Sequence, residues 1–190
     1  MNRLLAAALC CVLNGAMAAS ETAPGAALSG TRSIVLGNAE GERVAIGQVI
    51  FTPEAGGKSR FKVVLDAKLE EYFLAMRPFR CLTGTRQRLC NFPVAREEPL
   101  VDEGDLLPLE YALMFIRTEP AALHINPFNG VYYRMKVVGG RIEGAAHDVD
   151  MDPFIVPDSV PVERRKRPLN DGDLSIGDAR THWLPSIIIE

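Results

Sequence analysis

Apolar and polar positions alternate most regularly from Val131 to Asp152. Val131, Tyr133, Met135 and Val137 fall on one face, and Tyr132, Arg134 and Lys136 on the other. This is the two-residue period of a half-buried strand. Gly139-Gly140 supplies the positive φ that a tight two-residue turn requires, which predicts a β-hairpin. Folding there sets Val138 against Arg141, Val137 against Ile142 and Lys136 against Glu143. An apolar pair and an ion pair then lie on opposite faces, which fixes the register.

The same period recurs upstream. Residues 44–52 (VAIGQVIFT) and 60–66 (RFKVVLD) predict a second hairpin through the Pro53 and Gly56-Gly57 turn, with one dry face and one wet face. A short strand is expected at Ser33–Leu36 and a buried last strand at Leu184–Ile189. Between them, Asp66 reads as an N-cap for one or two helical turns, with Leu69, Tyr72, Phe73 and Met76 on one stripe. Arg77-Pro78 ends that helix. Residues 94–108 form a polar connection, and Leu109–Arg117 (LEYALMFIR) favours a strand for its length and its Tyr, Phe and Ile content. From Met151 to His182 four prolines and a basic run predict a long irregular excursion. The fold class is therefore mainly β, an antiparallel sheet curled into a small barrel or sandwich. One short helix and a long irregular segment before the last strand complete it, and residues 33–190 make a single domain.

The N-terminus changes the picture of where the protein works. Met-Asn-Arg precedes an apolar run from Leu4 to Leu13 and an Ala16-Met17-Ala18 end, the pattern of a secretory signal peptide cleaved after Ala18. The run is short of the roughly 20 residues of a membrane span. Lipid attachment at Cys10 or Cys11 is disfavoured, because Leu9 or Cys10 stands where a small residue is needed. An uncleaved anchor is disfavoured by the small-residue cleavage site. Residues 19–32 read as a flexible leader. The product is expected in the periplasm or outside the cell, without a membrane span. The formal charge of −3 becomes one unit more negative when Arg3 leaves with the signal. Such a balance argues against nucleic acid as partner.

Two of the four cysteines leave with the signal, and Cys81 and Cys90 remain. In an exported chain this pair predicts a disulfide stapling a small hairpin, with Leu82 opposite Leu89. The C-x8-C spacing lacks the adjacent thiols of a redox pair, and two cysteines alone cannot make a zinc site.

The sharpest candidate for chemistry is His147-Asp148-Val149-Asp150-Met151-Asp152. Alternation sets Asp148, Asp150 and Asp152 on one side, about 7 Å apart per step. Three carboxylates and a histidine can hold a hard cation such as Ca²⁺ or Mg²⁺. As an EF-hand loop the stretch fails, since Pro153 replaces the turn glycine and Ser159 the closing glutamate. Alternation from Ile142 would put these aspartates on the dry face, so a bulge is expected near Gly144-Ala145. The preferred reading is a solvated acidic strand end. Asp171–Ser175 with Asp178 resembles half a Ca²⁺ loop, but Arg167 and Leu169 occupy the first ligand positions. A turn into a short helix capped by Asp173 is preferred. Arg164–Arg167 is a tetrabasic run for which a solvated loop is preferred over processing or contact with anionic lipid. Trp183, beside His182, is expected to plug the end of the core, and His124 is assigned no role.

No nucleophile elbow, H-E-x-x-H helix, phosphate loop, Cys-His pair or cofactor signature is present. The expected function is that of an exported binding or accessory protein, engaging an envelope protein or a small ligand. A metal- or carboxylate-dependent hydrolase, and a scaffold using residues 151–182, are the alternatives.

Overall fold

The computed structural model describes residues 27–74, 77–94, 98–154, 169, 171–176 and 181–190. The signal peptide, most of the leader, Cys10, Cys11, the tetrabasic run and Asp178 lie outside them, as does much of the 151–182 excursion.

The hairpin at Gly139-Gly140 forms in the expected register. Strands β9 (Gly130–Val138) and β10 (Arg141–Val149) pair Val138 with Arg141, Val137 with Ile142 and Lys136 with Glu143. Both turn glycines hold positive φ, 57° and 83°, the backbone that a tight turn needs and that a Cβ disfavours. The second edge of β10 is shared. Strand β12 (Ser186–Ile189) pairs with Ile142–Ala145, and the short β11 (Leu174–Ile176) pairs with His147–Val149.

From β12 the sheet runs through β1 (Gly30–Gly37), β2 (Arg43–Pro53), β3 (Ser59–Leu65) and β7 (Leu100–Val101). From β9 it runs the other way through β8 (Phe115–Thr118), β6 (Arg88–Asn91), β5 (Arg77–Thr83) and β4 (Glu70–Leu74). Among the described residues this is one antiparallel sheet of 12 strands, curled but not closed into a barrel.

Helix α1 (Leu107–Ala112) joins β7 to β8 and packs against both β7 and β9. It therefore links the terminal strand β7 to the central strand β9, which backbone pairing leaves apart. Its start fits its sequence: Pro108 stands in the first turn, and Asp105 Oδ1 accepts the Leu107 N–H at 3.1 Å.

Neighbouring residues of the central strands feed two separate cores. Leu82, Leu89, Phe115 and Tyr133 join Ile34, Ile46, Val49, Ile142 and Ile187 in one cluster. Cys81, Cys90, Ile116 and Tyr132 join Phe79, Tyr111, Met114 and Met151 in the other. Strands β5, β6, β8 and β9 are thus covered on both faces. This explains the absence of the bulge expected near Gly144-Ala145: β9 and β10 pair without interruption from Arg141 to Val149. Val149 and Met151 are buried without any face switch, because the second cluster receives them.

Several elements differ from expectation. Residues 70–74 form strand β4, not a helix. Asp66 accepts the Lys68 N–H at 2.9 Å in a turn, after which Glu70–Leu74 pair with Arg77–Cys81. A helix of one or two turns bears its full nucleation cost, whereas the strand gains a ladder. Residues 107–112 are helical where a strand at 109–117 was expected, and the strand begins only at Phe115. Within 151–182, β11 is regular, and Asp171–Asp173 is a 3₁₀ turn leading into that strand in place of the expected helix.

Cys81 and Cys90 face each other across β5 and β6 and are joined as a disulfide, with Leu82 opposite Leu89. Replacing both cysteines by alanine should lower unfolding free energy by about 2–3 kcal/mol, the loop-closure contribution of so short a ring. Denaturant melts of the double variant and of the oxidised parent measure it.

Candidate functional site

The structure does not bring the four candidate metal ligands together. His147 and Asp148 are successive residues of a strand and project to opposite faces. His147 Nδ1 lies 3.1 Å from the Ala145 carbonyl oxygen. Beyond the strand, Asp150 Oδ1 accepts the Asp152 N–H at 2.9 Å, closing a local turn into the 3₁₀ segment Asp152–Phe154. Among the described residues no three His, Cys, Asp or Glu side chains are placed to hold a metal ion.

Asp148 nevertheless has a definite role. Its side chain is only 27% exposed, and its Oδ1 lies 3.0 Å from Arg117 Nη2 and 3.0 Å from His182 Nε2. Alternation places it: Asp148 shares its face of β10 with Ile142 and Ala146, and Arg117 shares its face of β8 with Phe115. Both charges stand at the end of the first core. His182 is buried and comes from the chain just before β12. The carboxylate thus clasps β8, β10 and the C-terminal segment at one point.

The residues around His182 extend this clasp. Trp183 Nε1 donates to Glu42 Oε2 at 2.9 Å, and its backbone N–H donates to Gln87 Oε1 at 3.0 Å. Gln87 Nε2 in turn donates to the Thr181 carbonyl. The indole lies against Gly84, where a Cβ would come within 2.6–2.7 Å of three ring carbons. Tyr133, fully buried, donates its hydroxyl to the Leu184 carbonyl at 2.7 Å, and burial pushes its ionisation well above the ordinary tyrosine range. Residues 181–184 therefore strap the turn of the stapled β5–β6 hairpin to the β1–β2 turn. Arg86, Gln87, Arg117, Thr181, His182 and Trp183 line a surface cleft of about 300 Å³ there.

A second cleft, about 250 Å³, lies beside α1 and includes Asp105, Glu110, Tyr132 and Arg134 in its wall. Strand β8 pairs with β9 only at Val131 and Gly130, so the next stretch of that β9 edge needs other partners. Glu110 provides one. Its Oε1 accepts the Met135 N–H at 2.6 Å, and its Oε2 accepts the Tyr132 hydroxyl. Burial raises the Glu110 pKa above 4.5, against the hydrogen bonds from Tyr132 and Met135 and the charge of Arg134, which lower it; Asp105 adds to the rise.

The sequence carried only part of this. His182-Trp183 was legible as a feature at the end of the core, and Trp183 does pack against the first cluster. Arg117, Gln87 and Glu42 carry no signal beyond being polar residues in or beside apolar stretches. Glu110 within LEYALMFIR was the one detectable anomaly, a carboxylate inside a run otherwise fit for burial. No known family model, curated protein or solved structure matches this chain.

Two outcomes follow from these contacts. Gly84→Ala should unseat Trp183 and lower stability by about 1–3 kcal/mol, the usual cost of overpacking, with a red shift of Trp183 emission as the indole meets water. Glu110 sets a pH dependence. The unfolded chain loses the Glu110 proton near 4.5 and the folded chain only at higher pH, so this group's contribution is complete below 4.5. It is lost as pH rises through the folded value. Glu110→Gln removes that loss, so its stability relative to the parent should improve steadily in urea melts taken from pH 4 to pH 7.

Proposed function

We propose that this chain is an exported binding protein of the cell envelope or extracellular space. Its ligand sits in the cleft between the 84–87 turn and the 181–183 strap, and it performs no bond-making chemistry there. The observation that carries this reading is the engagement of Asp148. Of the two carboxylates beside the cleft, Asp148 already faces Arg117 and His182, and Glu42 already accepts from Trp183 and Asn38. A general base must be within reach of the proton it takes and free to accept it, and the Asp148 carboxylate is already engaged by two side chains. The cleft wall is left with donors and an indole, a binding surface.

Export is supported by the signal pattern of residues 1–18 and by the disulfide, a bond favoured in oxidising compartments. No helix among the described residues is long and apolar enough to cross a membrane. A second reading, carboxylate-based hydrolysis, draws on Glu110. A carboxyl group with a raised pKa in a cleft is suited to donate a proton. Against it stands the use of both its oxygens by Tyr132 and Met135.

Trp183 is the single tryptophan of the chain, so its emission reports on the proposed cleft alone. Titration of the purified protein with the low-molecular-weight fraction of the medium or periplasm should change that emission saturably, and equally so in Glu110→Gln. Turnover of ester or glycoside substrates that disappears in Glu110→Gln would favour the second reading and overturn the first.

A further inference from the structure

Resting on the binding reading, we propose that the Trp183 cleft is an oxyanion site, taking a small molecule whose carboxylate or phosphate group is held by Arg86 and Arg117 while its apolar body lies on the indole.

The argument begins with charge. Arg86, Arg117 and His182 line the cleft, and among the described residues no Asp or Glu does. Two carboxylates stand near it and both are engaged: Asp148 by Arg117 and His182, and Glu42 by Trp183 Nε1 and by Asn38 Nδ2 at 3.0 Å. Asp148 is thus paired with Arg117, and Glu42 is turned to the indole N–H and the Asn38 amide. Arg86 is exposed and has no ion-pair partner among the described residues. A cation entering the cleft would meet guanidinium groups in its wall, whereas an anion would meet Arg86, whose charge no ion pair among the described residues offsets.

Donor geometry points the same way. Arg117 commits Nη2 to Asp148, but its Nε–H is buried with no partner among the described residues. A guanidinium presents its donors as a planar fork matched to two oxygens of a carboxylate or phosphate. Gln87 is committed in part to the strap, since its oxygen takes the Trp183 N–H and one N–H of its nitrogen goes to the Thr181 carbonyl. The charged recognition therefore falls on the two arginines, one in the β5–β6 turn and one on β8.

The setting is preorganised. Arg86 sits in a turn whose Gly84 N–H donates to the Gln87 carbonyl at 2.8 Å, on a hairpin stapled by Cys81–Cys90. Arg117 is fixed by Asp148, and Trp183 by Glu42, Gln87 and Gly84. At about 300 Å³ the cleft is at the small end of ligand sites, room for a single ring bearing one anionic group.

The test uses Trp183 emission with three probes at constant ionic strength: benzoate, its neutral analogue benzamide, and inorganic phosphate. Benzoate should change the emission saturably, benzamide at least about tenfold more weakly, and added salt should weaken benzoate binding. Arg86→Glu, an exposed change that should leave the melting temperature intact, should weaken benzoate about tenfold or more. Displacement of benzoate by phosphate would assign the site to compact tetrahedral anions, and benzoate binding indifferent to phosphate would assign it to organic carboxylates. Either result supports the proposal. Equal binding of benzoate and benzamide, or an unchanged affinity in Arg86→Glu, overturns the oxyanion assignment and leaves the cleft a neutral-ligand site. No response of Trp183 to any probe overturns the oxyanion assignment and the cleft reading together.

Discussion

The seat of Trp183 on Gly84 is the constraint to which the other parts of this fold conform. A curled sheet whose edges do not pair has no continuous hydrogen-bonded wall around its inner core, and its ends must be sealed by side chains. Here an indole does the sealing at one end, in a space that exists only because residue 84 has no side chain. Its ring nitrogen reaches Glu42 in the β1–β2 turn, and its backbone reaches Gln87 in the β5–β6 turn. Two turns far apart in the chain are thus held by one residue. At the edge bridged by α1, Glu110 performs the analogous task with a carboxylate, meeting the N–H of Met135 on the edge of β9.

Burial of the central strands on both faces accounts for where the polar groups are found. When a strand has a dry side and a wet side, polar residues go to the wet side at little cost. Strands β5, β6, β8 and β9 have two dry sides, so polar side chains along them need specific partners. Arg88 shows this plainly. It is buried, lies with its guanidinium carbon 3.8 Å from the centre of the Tyr72 ring, and donates to the carbonyls of Pro120 and Ala122. Asp148, Arg117 and His182 form a similar arrangement at the end of the first core.

The parts of the structure legible in the sequence were those fixed by neighbours in the chain. Gly139-Gly140 dictates its own turn, and the alternation on either side then dictates register. The Cys81–Cys90 pairing follows from spacing and the opposed leucines. Features decided by distant partners were not legible. Glu70–Leu74 reads equally as a short amphipathic helix until the β5 strand offers it a ladder. The bulge was inferred from a single dry face, and nothing local to residues 144–145 reveals that Tyr111, Met114 and Ile116 gather a second core. Asp148 illustrates the limit for the site. Its neighbours in sequence, His147, Asp150 and Asp152, suggest a cation, but its neighbours in space are Arg117, 31 positions away, and His182. Sign of charge reversed between the two views.

That reversal bears on how a binding site can arise in such a fold. A clasp made only to close the sheet needs charge balance, one acid for each base. At the Trp183 cleft Arg117 is already paired with Asp148, whereas Arg86 lines the same opening without an ion-pair partner among the described residues. Arg86 contributes nothing evident to closure, for it is exposed at a turn already secured by Gln87. An exposed arginine on a rigid hairpin retains its solvation and loses little entropy when an anion arrives, which is the condition under which a surface charge gives recognition in place of stability. In the proposed site, the residues that close the sheet thus hold still the arginines to which recognition is assigned.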